Sequence, residues 1–227
     1  GRADPGLAPG EPFELCHQSS WRQAVQCGRD VLWHAGAVAG ALRAAGVPAA
    51  RIDLGHVGVF RALAAAAGLD AELEGALLLL LQGKDVPSLR ELCARMDEPL
   101  RSALLSLPAL YGGVETLAAA TKALPAWPQV TAALENLRLL QASLPDLPLS
   151  FDLADLRGYH YHNGVVFAAY CTDFSSAVAR GGRYDGVGRA FGRDRPATGF
   201  SMDLRDLAGL AASGEAPGAI LAPCSAN

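Results

Sequence analysis

The 227 residues are 51% hydrophobic and 19% charged, which suffices for one sizeable packed domain, or one with an inserted subdomain, and excludes a globally disordered chain. The formal net charge of −4 argues against a general nucleic-acid-binding surface, which carries a basic excess. Five scattered cysteines (Cys16, Cys27, Cys93, Cys171, Cys224) without a CxxC pair fit a reduced, cytoplasmic protein rather than a disulfide framework or a zinc site, and the leucine run 77–81 is too short to span a bilayer.

Residues 1–30 hold prolines at 5, 9 and 12 and show no sustained period, so they read as loop or weakly ordered chain. Residues 31–45 switch to an alanine- and leucine-rich helix stopped by Gly46 and Pro48. The segment 51–57, RIDLGHV, alternates apolar and polar side chains as a strand does; Gly58 permits a turn into a helix over 59–67, with Gly68 as its stop. Between 68 and 126 several short helices are broken by glycine and proline. This stretch is expected as a helical insertion, an ordinary helical layer on the same core being the other reading. Pro87 and Ser88 suit the first turn of one of its helices.

Residues 128–143 form an amphipathic pattern with Val130, Ala133, Leu134, Leu137 and Leu140 on one stripe. Strands are expected over 147–156, 160–171 and 175–179, paired antiparallel because short turns join them, and a helix over 198–212. Residues 213–217 read as a linker, and GAILAP at 218–223 as the truncated start of a further segment.

Two stretches carry candidate chemistry. Residues 176–207 place Arg180, Arg183, Arg189, Arg193 and Arg195 among six glycines, a combination of flexible backbone and planar cations that suits a carboxylate-bearing or anionic ligand. Residues 157–164, RGYHYHNG, would put Tyr159 and Tyr161 on one strand face and His160 and His162 on the other, with Arg157 at the entrance of an aromatic pocket. Blander readings stand beside these. The rings could pack at a sheet edge, and an Arg183–Asp185 pair would explain both residues without a ligand. The HxH pair suggests metal, but no third ligand has diagnostic spacing, so no metal site is assigned. Neither a dinucleotide fingerprint nor a Walker loop occurs, and no cofactor is expected.

Together, RGYHYHNGVVF, ARGGRYDG and PATGFSMDLRDL resemble the second half of the histidyl-tRNA synthetase catalytic core, whose pattern runs approximately RGLDYYTG, GGGRYD and PAxGFxxGLERL. They are more similar to its paralogue family, the regulatory subunits of ATP phosphoribosyltransferase, which carry RGYHYHTG, PATGFSMDL and a DLGHVGVFRAL segment like residues 53–63. KDVPSL at 84–89 and YGG at 111–113 fit as well, and the resemblance covers about residues 45–223. It implies an α+β, class II aminoacyl-tRNA synthetase-like domain over 31–212, an antiparallel sheet flanked by helices. It also implies that Arg157, Tyr161, Gly181, Gly182, Arg183, Tyr184 and Asp185 line a histidine pocket, with Tyr159, His160 and His162 as neighbours.

The departures from the synthetase pattern separate the two families. Asp206 stands where motif 3 has an ATP-holding arginine, Arg180 replaces the first glycine of GGGRYD, and His160 and His162 replace the aspartate and second tyrosine of RGLDYY. The resemblance therefore implies a non-catalytic regulatory subunit without cofactor. Its implied partners are a short catalytic phosphoribosyltransferase subunit and L-histidine as effector, in a homo- or hetero-oligomer, with no nucleic acid and no membrane. A histidine-activating enzyme of synthetase type is the alternative, and a stand-alone small-molecule sensor a third reading. Motif 1 is not found, so the sequence is expected to be a partial copy.

Overall fold

The computed structural model describes residues 29–47, 49–172, 174–185, 192 and 197–211. Expectations for residues 1–28 and 213–227 and for Arg189, Arg193 and Arg195 lie outside these. Helix α1 (Arg29–Ala44) buries Val31, Ala35, Val38 and Leu42, a spacing that keeps one helical stripe against the core. Strand β1 (Ala49–His56) follows, and its last residue caps helix α2 (Val57–Ala67), the His56 Nδ1 accepting from the Gly58 amide at 3.0 Å. Gly58 thus lies inside the first helical turn rather than in a connecting turn, and a Cβ there would come 2.8 Å from the His56 ring. Gly68, left-handed at φ 60°, closes α2 as expected.

Helices α3 (Ala71–Gln82), α4 (Val86–Leu92) and α5 (Leu100–Ser106) come next. Asp70 and Asp85 accept from the Leu73 and Ser88 amides to cap the first two, with Pro87 in the first turn of α4. A 3₁₀ turn (Leu107–Ala109) and the short strand β2 (Tyr111–Gly112) precede α6 (Glu115–Ala123) and α7 (Pro128–Ser143). All of the apolar positions foreseen for α7 are buried. Leu77, Leu81, Leu104 and Leu117 of this helical stretch belong to the same continuous core as Ile52, Leu54 and Phe151 of the sheet.

Strands β3 (Leu149–Asp152), β4 (Val165–Cys171), β5 (Ala179–Arg183) and β6 (Thr198–Met202), then helix α8 (Leu204–Leu210), complete the described chain. The six strands form one sheet in the order β2–β3–β1–β4–β5–β6. Every neighbouring pair is antiparallel, as expected, except β1–β3, which is parallel. Helices α2 to α7 separate those two strands, and a parallel pair needs such a crossover.

Three local expectations change. The strand expected from 160 begins at Val165, because Gly158 at φ 74° starts a turn in which the Tyr161 and His162 amides donate to its carbonyl. The strand expected over 175–179 is Ala179–Arg183 instead, so Gly181 and Gly182 pair with Phe167 and Val166 in the ladder. The helix expected from 198 begins at Leu204: residues 198–202 pair with β5, and Asp203 then accepts from the Arg205 and Asp206 amides.

Side-chain alternation gives the sheet two faces. One carries Ile52, Leu54, Phe151, Phe167 and Ala169 into the core. The other carries a polar row across neighbouring strands, Ser150–Asp53–Ala168–Arg180–Ser201, set by the register.

Candidate functional site

A cavity of about 220 Å³ opens over the polar row, lined by Asp53, Asp152, Asp155, Arg157, His162 and Arg180. Bare positions let its surroundings pack closely. A Cβ at Gly55 would come 2.9 Å from the Asp152 carbonyl and 3.3 Å from that of Asp155, so the segment after β3 crosses β1 only because position 55 is bare. A Cβ at Gly181 would come 2.4 Å from the Gly199 carbonyl and 2.6 Å from Phe167 Cζ.

The charges are unevenly paired. Arg157 grips Asp155 through Nε at 2.7 Å and Nη2 at 2.6 Å, and the same Nη2 donates to the Tyr170 hydroxyl at 2.9 Å. The bond to Asp155 holds the guanidinium above its ordinary range. Lys84 Nζ lies 2.8 Å from Asp152. Asp53 Oδ1 lies 2.7 Å from Arg51 Nε, but without the alignment of a hydrogen bond, and burial pushes its carboxyl pKa up. Arg180, exposed at the cavity, makes no ion pair among the described residues. Such a concavity, with acids on one side and an uncommitted arginine on the other, is suited to a small charged or zwitterionic molecule.

Beside it lies an aromatic cluster. The exposed Tyr161 ring tilts against Tyr184 at 4.8 Å between centroids and meets His162 edge-on at 5.2 Å. The His162 ring occupies space left by two glycines: Cβ atoms at Gly158 and Gly182 would come 2.7 Å and 3.0 Å from it. Burial lowers its pKa, and its Nδ1 lies 3.3 Å from the Arg183 carbonyl. Arg183 Nε donates to both oxygens of Asp185 at 2.9 Å, so the pair foreseen from the sequence exists, half-buried rather than buried.

The turn at 158–162 corrects the expected two-faced strand. Tyr159 is buried, its hydroxyl donating to Glu74 Oε1 at 2.5 Å, whereas His160 is exposed against the Tyr159 ring. Among the described residues, no group of three or more His, Cys, Asp or Glu is placed to hold a metal ion. Of the expected site residues, Arg157, Gly181 and His162 line the cavity; Tyr161, Arg183, Tyr184 and Asp185 form the adjoining cluster. Sequence reasoning missed Asp53 and Asp155 in the cavity wall and Arg61 beneath it. Asp53 sits at a polar position of an alternating strand, but which strands flank it is not written locally.

The sheet and its helices define a class II aminoacyl-tRNA synthetase-like fold. The family model described as Histidyl-tRNA synthetase matches residues 36–207, and the chain belongs to that family. It is 56% identical over 211 residues to an ATP phosphoribosyltransferase regulatory subunit of Azoarcus sp., covering 89% of this chain and 55% of that one. It is 53% identical over 188 residues to one from Nitrosospira multiformis, covering 80% and 48%. A crystal structure of an ATP phosphoribosyltransferase regulatory subunit/histidyl-tRNA synthetase from Bacillus halodurans superimposes with a TM-score of 0.73 at 25% identity, covering 83% of this chain and 51% of the other. The chain thus spans about half the length of the curated relatives it matches.

Proposed function

We propose that the chain is a non-catalytic regulatory subunit of ATP phosphoribosyltransferase, required by a short catalytic subunit and conveying histidine feedback at the first step of histidine biosynthesis. The observation that carries this reading is the start of α8. Asp206 stands there, where the synthetase pattern has its ATP-holding arginine, and its amide donates to Asp203 Oδ1 at 3.2 Å. Arg205 stands between Asp203 and Asp206 in that turn, but the position of the arginine itself carries a carboxylate, so adenylate formation loses an electrostatic partner. The likeness to regulatory subunits points the same way.

On this reading Arg157, Tyr161 and residues 181–185 contribute to a histidine site, in a cytoplasmic hetero-oligomer. Regulation needs no chemistry from the subunit. It needs histidine to bind two states of the assembly with different affinity. The experiment is to mix the chain with the short catalytic subunit of its host and follow phosphoribosyl transfer with and without histidine. Rescue that histidine reverses is expected. Histidine-dependent ATP–pyrophosphate exchange by the chain, without rescue, would instead establish the synthetase-type reading.

A further inference from the structure

We infer that Arg180 and Asp53 are the two charged ends of a subsite that holds an α-amino acid as its free zwitterion, carboxylate on Arg180 and ammonium on Asp53. That the amino acid is histidine rests on the reading above. The register places Asp53, Ala168 and Arg180 in one row on three adjacent strands. Neighbouring strands lie about 4.8 Å apart, so the two charged residues are rooted roughly 10 Å apart across β4. Between them stands only the methyl group of Ala168, and all three residues line the same cavity. Arg180 and Asp53 form no ion pair with each other.

Among the described residues, the cavity's Arg157, Asp155 and Asp152 are committed. Arg157 is held by Asp155 and Tyr170, and Asp152 by Lys84. Among the described residues, that leaves Arg180 as the guanidinium there with its forked donors open to a planar carboxylate. Asp53 is paired with Arg51 at 2.7 Å, yet among the three acids it is the one with a buried oxygen, Oδ1, that lacks an aligned hydrogen bond.

Position 180 also explains itself chemically. Activating an amino acid converts its carboxylate into a mixed anhydride, so a guanidinium gripping both carboxylate oxygens favours the unreacted molecule. A glycine there, as in the synthetase pattern, leaves the carboxylate free to react. Arg180 is therefore a specificity-determining residue: it makes the cavity a sensor of the free amino acid.

Calorimetric titration of the whole chain, alone and with the catalytic subunit, tests this with three ligands: L-histidine, L-histidinamide, which lacks the carboxylate, and imidazolepropionate, which lacks the ammonium. The unsubstituted chain should prefer histidine to both. Arg180→Gln should weaken histidine at least about tenfold while changing histidinamide less than about twofold. Asp53→Asn should erase the preference over imidazolepropionate. Because Arg180 is exposed, its variant keeps the test decisive even if Asp53→Asn disturbs the strand. Histidine binding to the unsubstituted chain with ligand preference unaltered by Arg180→Gln would overturn the subsite. No histidine binding alone or in the complex would overturn it together with the histidine-feedback reading. Charge-selective binding without rescue of the catalytic subunit would overturn only the regulatory role.

Discussion

The Tyr159 hydroxyl meets Glu74 Oε1 at 2.5 Å, joining the turn after Arg157 to helix α3. Arg61 of α2 completes the joint: its Nη2 donates to the carbonyls of Tyr159 and His162 at 3.0 Å and 3.1 Å, and its guanidinium lies 4.9 Å from the Tyr159 ring centroid. Phe60 closes the other side of the ring edge-on at 5.3 Å. The turn that shapes one wall of the cavity is therefore held from below by two helices. Tyr159, a pocket neighbour by resemblance, serves as its strut.

Tyr159→Phe removes the bond to Glu74 and keeps the packing, so it should cost about 1–2 kcal/mol in urea unfolding. Tyr159→Ala also opens a cavity and should cost about 3–5 kcal/mol. Burial and the Glu74 bond push the hydroxyl pKa to about 12, so the Tyr159→Phe cost should be unchanged between pH 7 and pH 9. A double-mutant cycle with Glu74→Gln should show coupling, whereas strict additivity would mean that the two side chains act independently.

Glycines in the sheet and in the helices should respond oppositely to alanine. A Cβ at Gly181 meets backbone on one side and Phe167 on the other, so Gly181→Ala should destabilise by about 1–3 kcal/mol. Gly75 lies inside α3 with nothing within 4 Å of its would-be Cβ, and Gly75→Ala should stabilise by about 0.5–1 kcal/mol. Thermal unfolding of the two variants checks the signs; a neutral Gly181→Ala would mean that β5 and β6 can separate without loss.

His56 makes stability depend on pH. Burial, then the charges of Arg183 and Arg61, lower its pKa from 6.5 to about 4, and its neutral Nδ1 must accept from Gly58. Between those values the unfolded chain binds the proton and the folded chain does not. The contribution is complete above about pH 6.5 and is lost as pH falls toward 4, amounting to roughly 3 kcal/mol. His56→Asn keeps an acceptor for the Gly58 amide and removes the His56 titration, so the gap between unfolding free energies at pH 7 and pH 4.5 should narrow, leaving the smaller slope that His162, also lowered by burial, contributes. A slope left unchanged in His56→Asn would assign it to other groups.

Periodicity and punctuation made the helices legible: α7 has the bounds its apolar spacing gives, and Gly46 and Gly68 turn the chain where a left-handed residue is needed. The glycine-rich motifs misled because glycine reads as loop from the sequence alone. Gly181 and Gly182 are strand residues, bare because Phe167, the Gly199 backbone and the His162 ring occupy their Cβ space. Motif singled out Arg157 and Arg183, which the fold brings to the cavity and to the cluster beside it, but not Asp53, whose place across β4 from Arg180 follows from a register that only long-range pairing sets. Glu74 escaped for the same reason: its partner Tyr159 is remote in sequence.

Arg157 sits at the cavity, yet its donors to Asp155 and Tyr170 fix the wall rather than reach into open space. Lysine would keep the charge and lose the fork. If Arg157 works by holding the wall, Arg157→Lys and Arg157→Ala should both weaken histidine binding about tenfold, and Tyr170→Phe, which removes a single bond, by only about threefold. The histidine concentration for half-inhibition of the complex should rise by the same factors. Full rescue by lysine would make Arg157 a point charge for the ligand, because lysine cannot reproduce the paired bonds to Asp155. Unchanged affinity in Arg157→Ala would place the effector site away from this cavity.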